Sequence, residues 1–158
     1  MINLKTSVLL GASLQMGAII GGAGERNQKL IYEFGRKLGL AFQLQDDYLD
    51  AFGDPEKFGK QVGGDIMTNK KTFLLIHALE TANKQQRAEL DALLKSNAPN
   101  KVNGVLKLFQ ACGVDAWAVE LKERYLQEAL QHLEDVAVLS KRKEPLKQLA
   151  LFLTQREH

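Results

Sequence analysis

The sequence predicts an all-α fold, arranged as a helical bundle of about seven helices. Apolar residues recur at helical spacing along nearly the whole chain, and no segment shows the alternation of apolar and polar residues typical of a strand. Capping and breaking residues divide this periodic pattern into separate segments. At 158 residues the chain is expected to form a single domain, residues 1–158, which can bury roughly 70% of its unfolded surface.

The first helix is predicted from about Asn3 to Gly22, where the sequence GGAGE ends it. Its run of small and apolar residues has the outline of a secretory signal or a short membrane helix. Ser13 and Gln15 interrupt the run, and its unbroken apolar stretches are shorter than the ~20 residues that span a bilayer. We therefore expect no membrane span, and instead a nearly all-buried helix packed inside the bundle.

A second helix is predicted from about Asn27 to Phe52, because apolar residues recur along one side of this segment. These residues are Leu30, Phe34, Leu38, Phe42 and Leu49. The Asp54-Pro55 pair, together with Gly59, Gly63 and Gly64, then predicts a loop over Gly53–Gly64.

The third helix contains the sequence KKTFLLIHALETA, and Thr68 or Asn69 is its predicted cap. The remaining helices are predicted at about Gln85–Lys95, Val102–Ala111, Asp115–Leu139 and Pro145–Arg156. Asp115 is a suitable cap for the long helix that follows it, and Pro145 is expected in a first turn. These later helices are amphipathic, which indicates packing and says little about chemistry.

The charge balance and the cysteine content exclude several classes of protein. Twenty-one basic and 19 acidic residues give a net charge of +2, so we expect no general affinity for nucleic acid or for an anionic membrane surface. The single cysteine, Cys112, excludes an internal disulfide and fits a reducing compartment, which predicts a cytoplasmic location. Its expected role is packing in the core.

Four polar residues share one face near the end of the second predicted helix. Gln43, Asp46, Asp47 and Asp50 have the spacing i, i+3, i+4 and i+7. Two carboxylates about 6 Å apart repel each other by roughly 3 kcal/mol at an effective dielectric constant of 20. The helix dipole also disfavours anions near a C-terminus by ~0.3–1 kcal/mol. Such a face is therefore either a solvated surface or a site for a cation.

The residue types favour magnesium over other cations. No cysteine pair or histidine cluster supports zinc, and the spacing lacks the alternating ligands and central glycine of a calcium loop. Magnesium prefers oxygen ligands and commonly shares itself with substrate phosphates, so a diphosphate is the expected partner. Four lysines could neutralise it, although each one taken singly also fits a solvated surface: Lys57, Lys60, Lys70 and Lys71.

Three segments together resemble the C-terminal half of trans-isoprenyl diphosphate synthases, the all-α polyprenyl synthetase family. FQLQDDYLD resembles the second aspartate-rich motif of that family, and GKQVGGDIMTNKKT resembles the lysine-bearing segment that follows it. LKT, at Leu4 to Thr6, resembles the lysine–threonine pair of an earlier helix. The three segments occur in the family's order between Leu4 and Thr72. The resemblance implies the C-terminal part of the isoprenoid synthase fold.

The resemblance also implies a role for each matching residue. Asp46 would bind Mg²⁺, with Asp47 and Asp50 supporting metal, water or lysine contacts. The lysines that bind diphosphate would be Lys5, Lys60 and Lys70. The catalytic residues along the reacting carbons would be Thr6 and Gln43, together with Lys5. Phe42 would line the hydrocarbon cavity.

The implied reaction joins an allylic diphosphate to isopentenyl diphosphate, with Mg²⁺ as cofactor. The allylic diphosphate ionises, the double bond of isopentenyl diphosphate attacks, and a proton is lost. Magnesium and lysines would stabilise the leaving diphosphate by electrostatic and Lewis-acid effects. The resemblance further implies a homodimer, and the small residues of the first helix fit a wide apolar cavity between close backbones.

The sequence also departs from the family pattern, and this leaves alternatives open. Family members carry a first aspartate-rich motif upstream of the lysine–threonine pair, and no such motif precedes Lys5 here. We therefore expect a partial synthase with at most residual activity as an isolated chain. One alternative is a non-catalytic helical partner or regulatory subunit of a complete synthase. Another is a structural helical domain whose acidic face is only solvated.

Overall fold

The computed structural model describes residues 6–54, 62–96 and 98–155. Every regular element in these ranges is a helix, which confirms the predicted all-α class. The helices are α1 (Val8–Ile20), α2 (Glu25–Phe52), α3 (Gly64–Met67), α4 (Phe73–Thr81), α5 (Lys84–Lys95), α6 (Lys101–Ala111), α7 (Val114–Glu134) and α8 (Ser140–Gln155). None of these described helices is both long enough and apolar enough to cross a membrane.

The chain divides into two compact units, and α2 and α7 each contribute residues to both. The first unit combines the chain up to Gln43 with the segment that begins at Leu121. The second unit is formed by Leu44–Glu120. The expectation that residues 1–158 form one domain stays a prediction.

The first unit is built around apolar side chains of α2, α7 and α8. Its core consists of Ile31, Phe34, Leu38, Ala41, Leu126, Ala129, Leu133 and Ala150. Glycines bring the start of α1 close to α2: a methyl group placed on Gly11 would lie 2.8 Å from the Tyr32 carbonyl oxygen. A methyl group on Gly39 would likewise lie 2.7 Å from the Ser7 Cα. This close approach is what the small residues of α1 predict.

The expectation that α1 is nearly all buried is wrong. Gly11 is the one buried residue of this helix, whereas Leu9 is 64% and Ile20 is 88% exposed. The sequence GASLQMGAII contains no charged residue, so periodicity alone does not reveal which face is covered. The glycine-lined face packs on α2, and an apolar stripe that includes Leu9, Met16 and Ile20 is left exposed.

The second unit packs α3 to α6 with the end of α2 and the start of α7. Its core consists of Ala51, Ile66, Leu74, Leu75, Ala78, Leu90, Val105, Leu108, Phe109, Val114 and Ala118. Cys112 is half-buried and packs against this core, in keeping with the packing role expected for it. In the same unit, the His77 ring stacks on the Trp117 ring with centroids 3.7 Å apart.

Several helix ends differ from the predicted ones. Thr72, rather than Thr68 or Asn69, caps α4 by accepting a hydrogen bond from the Leu75 N–H at 3.2 Å. Asn69 has a φ of +53° and therefore lies in a turn. Pro145 lies inside α8 instead of in its first turn, because α8 begins five residues earlier, at Ser140.

The other differences are smaller. The loop predicted over Gly53–Gly64 ends in the short helix α3, which the sequence pattern did not predict. Asp115 lies in the first turn of α7, after Gly113 at a φ of +68°, and α7 ends at Glu134. An Asn83–Gln86 capping box starts α5 one residue earlier than expected.

Candidate functional site

The C-terminal half of α2 presents its three aspartates to different environments. Asp46 and Asp50 are half-buried, whereas the side chain of Asp47 is 0% exposed. The predicted polar face is therefore covered in part rather than fully solvated. Gln45, outside the predicted stripe, is also buried.

Asp50 is tied to the start of α3 by its side chain and by its backbone. Its Oδ2 accepts a hydrogen bond from the Asp65 N–H at 2.9 Å, and its carbonyl accepts one from the Gly63 N–H at 2.6 Å. Gly63 has a φ of +86°, a conformation that glycine adopts without strain. Partial burial raises the pKa of Asp50 above its ordinary value. The hydrogen bond from the Asp65 N–H opposes this rise, and the negative charge of the Asp65 carboxylate adds to it.

Lys70 joins two acids that lie far apart in the sequence. Its Nζ donates to Asp65 Oδ2 at 2.6 Å and lies 3.5 Å from Asp47 Oδ1. Partial burial alone would lower the pKa of Lys70, but the hydrogen bond to Asp65 and the charges of both acids outweigh it and raise that pKa. The Lys70 side chain is 40% exposed, so solvent reaches part of it.

The segment that carries Asp65 and Lys70 is anchored to the core of the second unit by Lys101. This lysine is 1% exposed, and its Nζ lies 3.4 Å from both the Met67 and the Leu94 carbonyl oxygens. The Asn69 side chain also donates to the Leu94 carbonyl, at 3.0 Å. Lys101 and Asn69 thus donate hydrogen bonds to carbonyl groups at the ends of α3 and α5. Such carbonyl groups have no hydrogen-bond partner within their own helix.

An open apolar cleft of about 500 Å³ lies in the first unit. It is lined by Thr6, Leu9, Leu10, Ser13, Gly39, Phe42 and Leu153. None of these residues is ionisable, and the volume is within the 300–1,000 Å³ typical of small-molecule pockets. The structure therefore brings Thr6 and Phe42, two of the predicted site residues, to one cleft.

The remaining predicted site residues differ in whether the structure describes them. Lys5 and Lys60, and also Lys57, lie outside the described residues. Gln43 is half-buried on α2, and Lys71 is exposed. The roles predicted for these residues stay predictions.

The donor chemistry of the α2 acids fits magnesium. Among the described residues, no three acidic, histidine or cysteine side chains gather closely enough to form a metal site by themselves. Magnesium does not require such a cage, because it usually keeps several waters and binds one or two carboxylates together with substrate phosphates. Asp46 and Asp50, one helical turn apart and half-buried, could supply these carboxylates.

Asp65 is the site residue that the sequence reasoning missed. Its side chain accepts a hydrogen bond from the Lys70 ammonium, and its backbone N–H donates one to the Asp50 carboxylate, so it links Lys70 to the acids of α2. An available signal was its position directly after the glycine pair Gly63-Gly64, at the end of the loop that follows the helix with the predicted acids. A helical wheel of α2 alone cannot include a residue from the following element.

Comparisons with known proteins agree with the motifs. The family model of the polyprenyl synthetases matches residues 1–112. The short chain isoprenyl diphosphate synthase of Methanothermobacter thermautotrophicus is 36% identical over 158 residues, which are 100% of this chain and 48% of that protein. The heptaprenyl diphosphate synthase component 2 of Geobacillus stearothermophilus is 31% identical over 157 residues, 99% of this chain and 48% of that protein.

Solved structures show the same relation. The geranylgeranyl pyrophosphate synthetase of Pyrococcus horikoshii Ot3 superimposes with a TM-score of 0.91 at 32% identity, covering 99% of this chain and 47% of that one. A geranylgeranyl pyrophosphate synthase structure superimposes with a TM-score of 0.88 at 44% identity. The match covers 99% of this chain and 50% of the chain in that structure. The chain thus spans about half the length of the relatives that it matches.

Proposed function

Because the chain belongs to the polyprenyl synthetase family, we propose that it is the diphosphate-binding part of an isoprenyl diphosphate synthase. This enzyme would be a prenyltransferase that condenses an allylic diphosphate with isopentenyl diphosphate. The observation that carries the proposal is the cluster formed by Asp47, Asp50, Asp65 and Lys70, because it joins two family motifs through hydrogen bonds and one close ion pair.

In this proposal the acids and the lysine divide the work of holding the diphosphate. Asp46 and Asp50 would hold Mg²⁺, which when bound supplies positive charge that stabilises the leaving diphosphate. Lys70 would donate hydrogen bonds to diphosphate oxygens from its exposed side, since an ammonium group has three donors. Asp47 and Asp65 would orient Lys70, in keeping with their distances of 3.5 and 2.6 Å. Lys5 and Lys60 are proposed as further diphosphate ligands on the family motif alone.

The apolar cleft is proposed to hold the hydrocarbon part of the substrate. The described residues of its lining include no ionisable side chain, which favours a hydrocarbon over a charged or strongly polar ligand. Phe42 would contact the chain. The Thr6 hydroxyl and the Gln43 amide oxygen would direct oxygen dipoles at the carbons where positive charge develops, an electrostatic effect that requires no covalent step by the protein.

Calorimetric titration of inorganic diphosphate, with and without Mg²⁺, tests the proposed diphosphate site. We expect binding that depends on Mg²⁺ and is lost in Asp46→Ala. Asp91→Ala is the matched control, because Asp91 is an exposed acid of α5 outside the cluster. Equal binding by both variants, or no binding by the unmodified chain, would contradict the proposal that this chain holds diphosphate by itself.

We expect the purified 158-residue chain to have at most residual prenyltransferase activity. The first aspartate-rich motif of the family is not present in this sequence, so the charge stabilisation that it gives would be missing. A steady-state assay with labelled isopentenyl diphosphate measures this. Turnover equal to that of a full-length relative under the same conditions would show that the expectation is wrong.

A second candidate function is that of one component of a multi-subunit synthase. The Geobacillus relative is named as component 2 of a heptaprenyl diphosphate synthase, and α1 exposes Leu9, Met16 and Ile20. Restoration of activity on addition of a second polypeptide would favour this candidate. A homodimer and a cytoplasmic location are further proposals, the first from the family resemblance and the second from the single cysteine.

A further inference from the structure

The cleft of the first unit has two walls that lie on different helices. One wall follows the chain from Thr6, which precedes α1, through Leu9 and Leu10 to Ser13 of α1, and Leu153 of α8 contributes to the lining from another element. Positions 6, 9 or 10, and 13 recur at helical spacing, so they lie along one side of the chain. Seven residues of helix rise by about 10 Å, which is therefore the approximate length of this wall.

The Ser13 side chain makes its part of the wall effectively apolar. Its hydroxyl donates to the Leu9 carbonyl at 2.8 Å within the same helix. The hydrogen-bond donor is thus already used, and the small side chain takes up little of the cleft. A larger residue here would project into space that the present sequence leaves open.

The other lining positions are less free to change. A methyl group on Gly39 would lie 2.7 Å from the Ser7 Cα, so the backbone contact between α1 and α2 fixes glycine there. Thr6 and Phe42 already have roles in the proposed function. Four lining positions remain: Leu9, Leu10, Ser13 and Leu153. Among them Ser13 is exposed and has the smallest side chain, so it leaves the most room for a larger one, and Leu153 is the one that lies on a different helix, half-buried against the core of this unit.

We propose that Ser13 and Leu153 are specificity-determining residues that set the length of hydrocarbon chain accepted by the cleft. The identity of the ligand as a prenyl chain rests on the proposed function. The dimensions of the site rest on the cleft itself, which contains no diphosphate-binding residue among its described lining residues. The two parts can therefore be tested separately.

The experiment measures binding of prenyl alcohols with two, three and four isoprene units to the full chain by equilibrium dialysis. These alcohols carry no diphosphate, so they report on the cleft alone. With the unmodified protein, affinity should rise on the order of tenfold for each unit that the cleft buries. Ser13→Phe should abolish the gain in affinity for the longer alcohols, because the new ring fills part of the cleft. The affinity for the shortest alcohol should stay within about twofold, because the rest of the cleft is unchanged.

Variants of the second wall keep the test decisive if Ser13→Phe fails to fold. Leu153→Phe should also remove the gain for the longer alcohols, and Leu153→Ala should increase binding of the longest one. Ile20→Phe is the control, because it adds the same ring on α1 at a position that is 88% exposed and outside the cleft lining. Circular dichroism and the melting temperature identify any variant that is not folded.

The outcomes separate the inference from the proposed function. Length-dependent binding that the Ser13 and Leu153 variants change supports the inference, even if inorganic diphosphate with Mg²⁺ does not bind. The inference is overturned if the unmodified protein binds all three alcohols equally or not at all, or if folded variants keep its length dependence. Failure of the diphosphate titration alone counts against the proposed function and not against the cleft.

Discussion

Replacement of Lys70 by methionine tests whether this lysine stabilises the acidic cluster. Methionine keeps an apolar stem of similar length but removes the ammonium group that lies 2.6 Å from Asp65 Oδ2 and 3.5 Å from Asp47 Oδ1. The side chain of Asp47 is 0% exposed, so the loss of this cation raises the free-energy cost of keeping its carboxylate ionised in the fold. We expect Lys70→Met to be destabilising.

The magnitude follows from the geometry and from the exposure of Lys70. Two unit charges 3.5 Å apart attract each other by about 5 kcal/mol at an effective dielectric constant of 20, which is an upper bound. Exposed ion pairs contribute only about 0.2–1 kcal/mol, whereas removal of one partner of a buried pair costs about 3–5 kcal/mol. Lys70 is 40% exposed, so its pairs lie between these limits, and we expect a loss of about 1–2 kcal/mol.

Urea unfolding at neutral pH measures this loss as a shift of the midpoint at constant slope. Lys71→Met is the matched control, because Lys71 is the adjacent lysine and is exposed, and it should change stability by less than about 0.5 kcal/mol. A double-mutant cycle with Asp47→Asn should give a coupling of about 1 kcal/mol. Equal effects of the two lysine variants, or no coupling in the cycle, would refute this reasoning.

The pH dependence gives a second check on the same pair. The pKa of Lys70 is raised in the folded protein, so its stabilising contribution is fully present below the ordinary lysine pKa of about 10.4. That contribution is lost as the pH rises through the raised pKa of the folded state. The difference in stability between Lys70→Met and the unmodified protein should therefore be constant from about pH 6 to 9 and shrink only at more alkaline pH.

Three further variants test other contacts by the same unfolding assay. Lys37 lowers the pKa of the Glu128 carboxyl by a hydrogen bond, so Glu128→Gln should reduce the free energy of unfolding by up to about 1 kcal/mol near neutral pH. This loss should disappear as the pH falls through the lowered pKa, and a loss that persists in acid would contradict the assignment. Gly63→Ala should cost more than about 1 kcal/mol, because a methyl group at a φ of +86° would also collide with the Val102 side chain; a neutral effect would show that this backbone can rearrange. Lys101→Met should cost about 1–3 kcal/mol by leaving carbonyl groups at the ends of α3 and α5 without their buried donor, and a stabilising effect would show that burial of the ammonium outweighs its hydrogen bonds.

The helices could be predicted from the sequence because their apolar periodicity is local. The second helix was predicted to end at Phe52 and does so, and its start differs by only two residues. The caps were less predictable where two candidates compete. Thr72 caps α4 because the chain first makes a turn at Asn69, and that turn depends on the contact of Asn69 with the Leu94 carbonyl, which is distant in sequence.

The exposure of α1 could not be predicted, because the residues of this helix are apolar or small on every side. A pattern of this kind indicates burial in a protein interior but does not say which element provides the cover. In the structure, two glycines determine which face of α1 is covered. Gly11 and Gly39 allow close contact between α1 and α2, and this contact leaves Leu9 and Ile20 facing away from the core.

The acidic site was predicted as a stripe on one helix, and the structure describes a cluster shared by that helix and the segment from Asp65 to Lys70. Helical spacing placed Asp46, Asp47 and Asp50 on one face of the helix, but it gives only the direction of each side chain from the helix axis. It does not give the depth of burial, which depends on what packs against the helix. Here the segment from Asp65 to Lys70 contacts two of the three acids, so Asp50 accepts a backbone hydrogen bond and Asp47 contacts the lysine.

This arrangement separates the acids by burial, which spacing cannot do. A carboxylate that is fully buried and held beside an ammonium group is poorly placed to exchange water with a metal ion, whereas a half-buried carboxylate can do so. Asp46→Ala should therefore reduce Mg²⁺-dependent diphosphate binding directly. Asp47→Asn should act through Lys70, reducing the affinity for diphosphate even when Mg²⁺ is saturating, and equal sensitivity of both variants to Mg²⁺ concentration would contradict this division.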